Sequence, residues 1–519
     1  MNKTKQIEFG DFQTPPDLTF DIVTFLANCG VSPDVIIEPT CGTGSFVLTA
    51  MEIFPLAKII YGFDINSDYI KETQEKIRYQ SETIVNLESR DFFTIEWGNF
   101  IKTLTGSILI LGNPPWVTNS VLATMGSDNL PIKTNFQGYK GFAAKTGKAN
   151  FDISEWMLIR MIEALNHRDG YIAMLCKTST ARKTLRHAWI NKLKVTGCSL
   201  HLIDTCKYFG ASVDACLFLL HTGIMNPIAS AAVYSNLSFD NRISTFGLVG
   251  NEMVADLDEY LLFRDIDGTS YYTWRSGVKH DAAKIMEFTR NDAYYINGTG
   301  EKCQLEDTYM FPLLKSSDVA NGRISPKKYV LLTQRNPSDD TLSIRTVAPK
   351  TWSYLVKHKD KLDSRQSMIY KKRPRFSVFG IGDYSFSPWK VAISGLYKNC
   401  RFEVIGEYQG KPIILDDTCY FIPCVTEKEA HFICALLDSE ACQRFLHSLV
   451  FPDAKRPITI DILSRIDLKR VAEHVDRSIE ASKLLTNARR FENKQLLMVF
   501  EKKAGYKAKS SKRLTKLSK

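Results

Sequence analysis

Asn113-Pro114-Pro115-Trp116 gathers, within four residues, groups suited to one kind of chemistry. The Asn113 side-chain oxygen and the Pro114 carbonyl can each accept one hydrogen of an exocyclic NH2, and Trp116 offers a face on which a planar ring can stack. Pro114 and Pro115 neither donate to a strand ladder nor continue a helix, so the turn would hold the amide rigidly. The residues before it, Ser107-Ile-Leu-Ile-Leu-Gly112, read as a buried strand that delivers Asn113 to its end. An ordinary strand exit with a packed tryptophan would show the same residues, so the surrounding elements must decide.

Three earlier strands end in the same way. Asp34-Val-Ile-Ile-Glu38 runs into a turn with Gly42 and Gly44 and then a helix, an arrangement that lets a ligand approach unpaired amides closely. Lys58-Ile-Ile-Tyr-Gly-Phe-Asp64 ends in a carboxylate about 20 residues further on, where dinucleotide folds place an acid on ribose hydroxyls. Ser89-Arg-Asp91-Phe92 follows a Lys- and Glu-rich helix and again sets an acid at a strand end. In a βα alternation such polar ends converge on one edge of a parallel sheet, the edge where open α/β folds bind ligands. Ahead of them, Phe12-Gln13-Thr14-Pro15-Pro16 leads into an amphipathic helix from Asp17 to Asn28.

The ordered set Phe12-Gln-Thr-Pro15, Glu38-Pro-Thr-Cys-Gly-Thr-Gly44, Asp64-Ile65, Asp91-Phe92 and Asn113-Pro-Pro-Trp116 resembles the gamma-class adenine-N6-specific DNA methyltransferases of restriction-modification systems. The resemblance is strongest over 9–120 and extends, through segments such as Phe311-Pro-Leu-Leu-Lys315 and Gly380–Lys390, over nearly the whole chain. It implies an α/β fold, a Rossmann-like seven-stranded methyltransferase sheet followed by an α+β target-recognition domain, with S-adenosylmethionine as cofactor. Carried over position by position, Phe12, Thr14 and Pro15 would touch the cofactor. Glu38, Thr40, Gly42 and Gly44 would hold its methionine part. Asp64 would take the ribose hydroxyls, Ile65 and Phe92 the adenine ring, and Asp91 its amino group. Asn113, Pro114, Pro115 and Trp116 would be catalytic, with Phe209 as a second aromatic beside the extruded base. Trp116 stands where Tyr or Phe is commoner in the family, which keeps the stacking face and loses any hydroxyl contact. A core phenylalanine remains the competing reading of Phe209, and Asp152 and Lys177 read equally well as cleft residues and as surface caps.

Composition sets the frame. The chain has 519 residues, 44% hydrophobic and 24% charged, enough for several soluble domains. It contains no apolar stretch of membrane-spanning or signal-peptide length, so the expected setting is the cytoplasm of a bacterial or archaeal cell, with no membrane partner. The 12 cysteines include no Cys-x-x-Cys pair and no histidines stand near them at zinc spacing, so no metal site is expected. Of the 67 lysines and arginines, eight fall between Lys502 and Lys519 with no acid among them, leaving 59 against 57 acids in the body. The balanced body carries a short basic tail, either a solvated end or a phosphate-contacting arm.

The expected domains are a catalytic domain over 1–224, a recognition domain with helical segments over 225–501 and the tail over 502–519. Residues 239–288 read as helical and mixed. From Leu305 onward strand-like alternation appears at 329–333, 375–379, 389–394, 401–407, 411–415 and 419–423. Basic and aromatic residues interleave at Arg335, Tyr370–Phe376, Tyr384–Lys390, Tyr397-Lys398 and Lys455-Arg456, the pattern of a DNA-reading surface. A generic domain with a charged face is the alternative. Residues 120–148, rich in Gly, Lys, Asn and Thr, form a long loop after the turn at Asn113. The expected partner is double-stranded DNA; the chain lacks a nuclease constellation, so modification without cleavage is expected, and any cognate restriction endonuclease would be separately encoded. RNA bases and protein glutamine amides present the same planar NH2 and remain as rival substrates.

Overall fold

A computed structural model describes residues 13–77, 83–117, 152–210, 213–291, 294–371 and 373–485. Phe12, the long segment after the turn and the basic tail therefore lie outside the described residues. The chain divides into two compact units, Met1–Asp258 and Glu259–Lys519.

The first unit is built on one sheet. β1 (Val35–Glu38), β2 (Ile59–Asp64), β3 (Ile84–Ser89), β4 (Ile108–Gly112) and β5 (Gly170–Lys177) run parallel in the order β3-β2-β1-β4-β5. β7 (Ala215–Thr222) inserts antiparallel between β5 and β6 (Val195–Ile203). These seven strands are the expected sheet. The structure then corrects the expectation in one respect: β8 (Ser230–Tyr234), β9 (Arg242–Val249) and β10 (Glu252–Val254) continue the sheet past β6 to ten strands. Residues 242–254 are thus mostly strand rather than helical, and the first unit runs past 224 to Asp258. The physical reason is a parallel pairing of β8 with β6, Ser199 opposite Ala232, which spares β6 from being an open edge.

Sequence explains where each strand lies. β1 and β4 are buried at every position, as continuous Ile, Leu and Val runs require when helices cover both faces of a sheet. On one face, alternate residues Leu109, Leu111, Ala173, Leu175, Leu217 and Leu219 meet Leu18, Ile22, Val23 and Leu26 of helix α1 (Pro16–Asn28). Each such buried aliphatic side chain contributes about 1.5–3 kcal/mol. That packing anchors α1, and with it Thr14 just ahead of the helix, over the ends of the central strands. The crossovers are α2 (Ser45–Ile53), α3 (Ser67–Lys76), α4 (Trp97–Thr103), α5 (Ile153–Leu165) and α6 (Thr178–Ile190); the five-residue α7 (Thr205–Phe209) joins β6 to β7.

The second unit holds two further cores. A six-stranded sheet orders Lys302–Cys303, Tyr294–Asn297, Glu287–Asn291, Lys328–Leu331, Met310–Leu314 and Ile414–Leu415, and a four-stranded sheet orders Arg275–Ser276, Cys419–Cys424, Trp389–Ser394 and Phe402–Ile405. Residues 375–379 join neither sheet and make a single bridge, Phe379 with Lys279. Helices Glu427–Leu437, Glu440–Leu449, Leu468–His474 and Ser478–Leu484 follow. Among the described residues no helix is long and apolar enough to cross a membrane, and no group of three or more His, Cys, Asp or Glu is placed to hold a metal ion.

Candidate active site

The strand ends β1, β2 and β4 meet as the alternation required. Glu38 closes β1 and is buried, and a Cβ placed on Gly112 would come within 3.3 Å of its Cγ, so Glu38 and the turn after β4 are neighbours. Burial pushes the Glu38 carboxyl well above its ordinary range, and the nearby Asp64 charge pushes the same way. Its Oε2 and the Thr40 Oγ1 are buried with no hydrogen-bond partner among the described residues. Buried polar atoms are ordinarily paired. A positively charged or donor-bearing ligand would satisfy both.

The Gly42–Gly44 turn is built for close approach. Both glycines hold left-handed backbone, φ +52° and +82°, and a Cβ would come within 2.6 Å of the Gln13 Oε1 at the first and 2.2 Å of the Thr73 Cγ2 at the second. Gly44 then caps α2. Asp64 ties this turn to β2: its Oδ2 accepts from the Gly42 amide at 2.9 Å and its Oδ1 from the Asn66 amide at 2.8 Å. Gln13, quoted in the sequence motif without a role, accepts from both the amide and the hydroxyl of Thr43 at 3.1 and 3.0 Å. Beside Asp64 the apolar Ile65 is 48% exposed. Asp91 lies two residues past β3 and caps the turn Phe92–Thr94 through the Phe93 amide at 2.9 Å. Phe92 is buried against Trp97, which makes it a wall more than an open stacking face.

The turn after β4 is held from further away. The Asn113 Nδ2 donates to the Thr14 hydroxyl at 3.1 Å, which fixes the orientation of the amide. Thr14 is buried and Pro15 half-buried. The Trp116 indole reaches the Leu175 carbonyl at 3.4 Å, and its ring stands 6.0 Å from that of Phe209, inclined by 58°. Phe209 ends α7, half-buried and packed at the edge of the core cluster beside the tryptophan. Of Asp152 and Lys177, expected as cleft residues or caps, only Asp152 caps by its side chain, holding the start of α5 through the Ser154 amide at 3.2 Å, and it pairs with Lys177 at 2.6 Å. A Ser two residues after an Asp at a helix start is a capping signal, but the lysine that completes the pair is 25 residues downstream.

The basic and aromatic residues of the second unit separate into two groups. Arg335, Arg373, Tyr397, Lys398, Lys455 and Arg456 are exposed. The Arg335 guanidinium stacks 4.4 Å from the Phe386 ring. Lys390 is not on the surface as its motif suggested: it is fully buried, donates to the Ser387 carbonyl at 2.7 Å, and burial lowers its pKa to about 7. Arg375 is exposed but paired with Asp363 at 2.5 Å, and the half-buried Lys315 is paired with Glu287 at 2.7 Å.

No family model matches the chain. Among solved structures, the type IIL restriction-modification enzyme MmeI in complex with DNA aligns over 98% of this chain and 80% of its own, with a TM-score of 0.50 and 10% identity, a likeness of fold. The modification methylase CviBIII of Paramecium bursaria Chlorella virus NC1A is 31% identical over 118 residues, 22% of this chain and 28% of that protein. The type II methyltransferase M.NspV of Nostoc sp. is 45% identical over 475 residues, 91% of this chain and 98% of that protein. With that identity over almost the full length of the relative, the chain belongs to the type II methyltransferase family.

Proposed function

We propose that the protein is a site-specific DNA methyltransferase that flips a target adenine out of the duplex and methylates its N6, protecting DNA in a restriction-modification system. The observation that carries the reading is the turn after β4: an amide oriented by Thr14 and a proline carbonyl next to it, beside two aromatic rings 6.0 Å apart and next to the buried Glu38. S-adenosylmethionine, when bound, would supply the electrophilic methyl group. The residues present fit it: the Glu38 Oε2 and Thr40 Oγ1 lack partners among the described residues and suit an ammonium group, and the left-handed Gly42–Gly44 turn at the start of α2 suits close approach of its methionine part. Asp64 suits ribose hydroxyls, and Ile65 and Asp91 suit the adenine, with the buried Phe92 as a wall of its site.

The chain's own residues then do the rest by geometry. The adenine N6 lone pair is delocalised into the ring. Two acceptors, the Asn113 Oδ1 and the Pro114 carbonyl, draw its hydrogens to one side and localise the pair for in-line attack. Asn113 is neutral and acts by position and polarisation rather than as a base. Holding the reactants at about 3–3.5 Å supplies a large share of the barrier reduction. Flipping costs a few kcal/mol, which stacking on Trp116, at about 1–3 kcal/mol per base, offsets.

The exposed basic and aromatic residues of the second unit support its reading as the DNA target-recognition domain, and the DNA-complexed fold relative supports DNA as the substrate over RNA or a protein amide. The test is to express the wild type and Asn113→Ala in a host without adenine methylation and to map N6-methyladenine over its genome. One sequence motif methylated by the wild type alone is the expected result. A genome without methylated adenine, from folded protein, would contradict the reading.

A further inference from the structure

The turn at Asn113 poses a mechanical problem. Pro114 and Pro115 have no N–H groups, so the backbone there offers only carbonyls by which the rest of the protein can grip it. Two grips just after it are found among the described residues. The Lys177 Nζ, at the end of β5, donates to the Trp116 carbonyl at 3.1 Å, and the Ile153 amide donates to the Val117 carbonyl at 2.9 Å. The same Lys177 Nζ contacts the Asp152 Oδ2 at 2.6 Å, and the Asp152 Oδ1 is held in turn by the Ser154 hydroxyl at 2.7 Å and amide at 3.2 Å. Asp152 is only 6% exposed, so the pair is largely desolvated and the ammonium has a fixed direction. Two residues before Lys177, the Leu175 carbonyl accepts from the Trp116 indole. The end of β5 therefore holds Trp116 by its main chain and by its ring.

We infer that Lys177, fixed by Asp152, is a positioning residue for methyl transfer: it clamps the Trp116 carbonyl so that the Trp116 ring and the adjacent Pro114 carbonyl meet the flipped base in one geometry. The pairing has an electrostatic consequence as well. Methyl transfer carries positive charge onto the target nitrogen, and a bare ammonium near that nitrogen would oppose it. The Asp152 carboxylate balances the charge, so the clamp grips the turn without repelling the product. This inference rests on the proposed function of the same site.

The test measures methyl transfer from labelled S-adenosylmethionine to adenine-methylation-free plasmid DNA. A misplacement of about 1 Å can cost about 10²-fold in rate. Lys177→Met should accordingly lower kcat by about 10²-fold while the cofactor Kd from calorimetry stays within about twofold, and Lys177→Arg should recover most of the rate. Asp152→Asn, which leaves the lysine in place and undirected, should fall in the same sense and serves if Lys177→Met does not fold. In a Trp116→Ala background the Lys177→Met effect should shrink to under about tenfold, because the residue through which it acts has lost its ring; a merely structural salt bridge would cost the same in both backgrounds. An active wild type with Lys177→Met and Asp152→Asn both within about threefold of it, or an equal loss in the Trp116→Ala background, overturns the clamp alone. A wild type that transfers no methyl group to DNA overturns the proposed function, and the clamp with it.

Discussion

On the β1–β3 side of the sheet edge, carboxylates are fixed by amides close at hand: Asp64 by Asn66 and by Gly42 in the preceding βα turn, Asp91 by Phe93. On the β4–β5 side the fixing groups come from far along the chain. Asn113 is oriented by Thr14, 99 residues earlier, Trp116 by Leu175, 59 residues later, and by Lys177, 61 residues later. The difference suits the two tasks proposed for them. A cofactor cradle needs backbone donors and acids in fixed register, which a strand–turn–helix unit supplies by itself. A reacting amide needs an orientation set against the cofactor side, and only a distant element can supply that.

If the two sides are separable, damage to each should have its own signature. The largest effect should come from Asn113→Ala, which removes one of two acceptors felt only in the transition state: kcat falls by about 10²–10³-fold or more, with cofactor affinity by calorimetry nearly unchanged. A parallel loss of cofactor binding would break the comparison. Asp64→Ala should do the reverse. Losing charge-assisted hydrogen bonds of about 1.5–3 kcal/mol weakens cofactor binding by about 10–150-fold in the same calorimetric titration. Thr14→Val, measured by single-turnover rate at saturating cofactor, should cost about fivefold to tenfold, the worth of one hydrogen bond near 1 kcal/mol, and Thr14→Ser should restore it. An effect of Thr14→Val on cofactor Kd alone would return Thr14 to the cofactor side, where the sequence motif placed it.

The smallest effect concerns stability. Glu38 has a raised carboxyl pKa from burial, so its ionised form is the one the fold disfavours. The cost of burying the carboxyl grows as pH rises from the ordinary carboxylate range to the raised folded value, and is gone once pH falls below the ordinary range. Glu38→Gln should therefore melt a few degrees higher than the wild type without cofactor at the alkaline end of a pH series, with the gap closing toward acid pH, and should bind cofactor poorly. A variant less stable at every pH would show that the carboxylate is held by partners and not poised for a ligand.

The same contrast explains what could be read from the residues alone. Glu38, Asp64 and Asn113 are marked by apolar runs ending in polar groups, and the glycine turn and Asp91 by their place in the βα alternation, signals confined to a few residues each. The bonds that set Asn113 and Trp116 join residues with no sequence relation, so neither Thr14's hold on the amide nor Lys177's on the turn could be seen. The three added strands were missed for a similar reason: β8 joins β6 through a pairing over some 30 residues, while Leu257–Leu262 carries a strong helical pattern that colours its neighbourhood. Lys390 shows the limit of interleaved charge as a surface signal. Its strand, Trp389–Ser394, is central in its sheet and buries the lysine with the rest.

The central claim is that the acceptor pair at Asn113 and Pro114 is matched to an adenine amino group. The most direct measurement is to let the protein transfer labelled methyl groups from S-adenosylmethionine to unmethylated DNA, digest the product to nucleosides and identify the labelled one. All of the label in N6-methyldeoxyadenosine, and none with Asn113→Ala, is the expected result; label in any other nucleoside, or none in DNA with a folded wild type, would contradict the account.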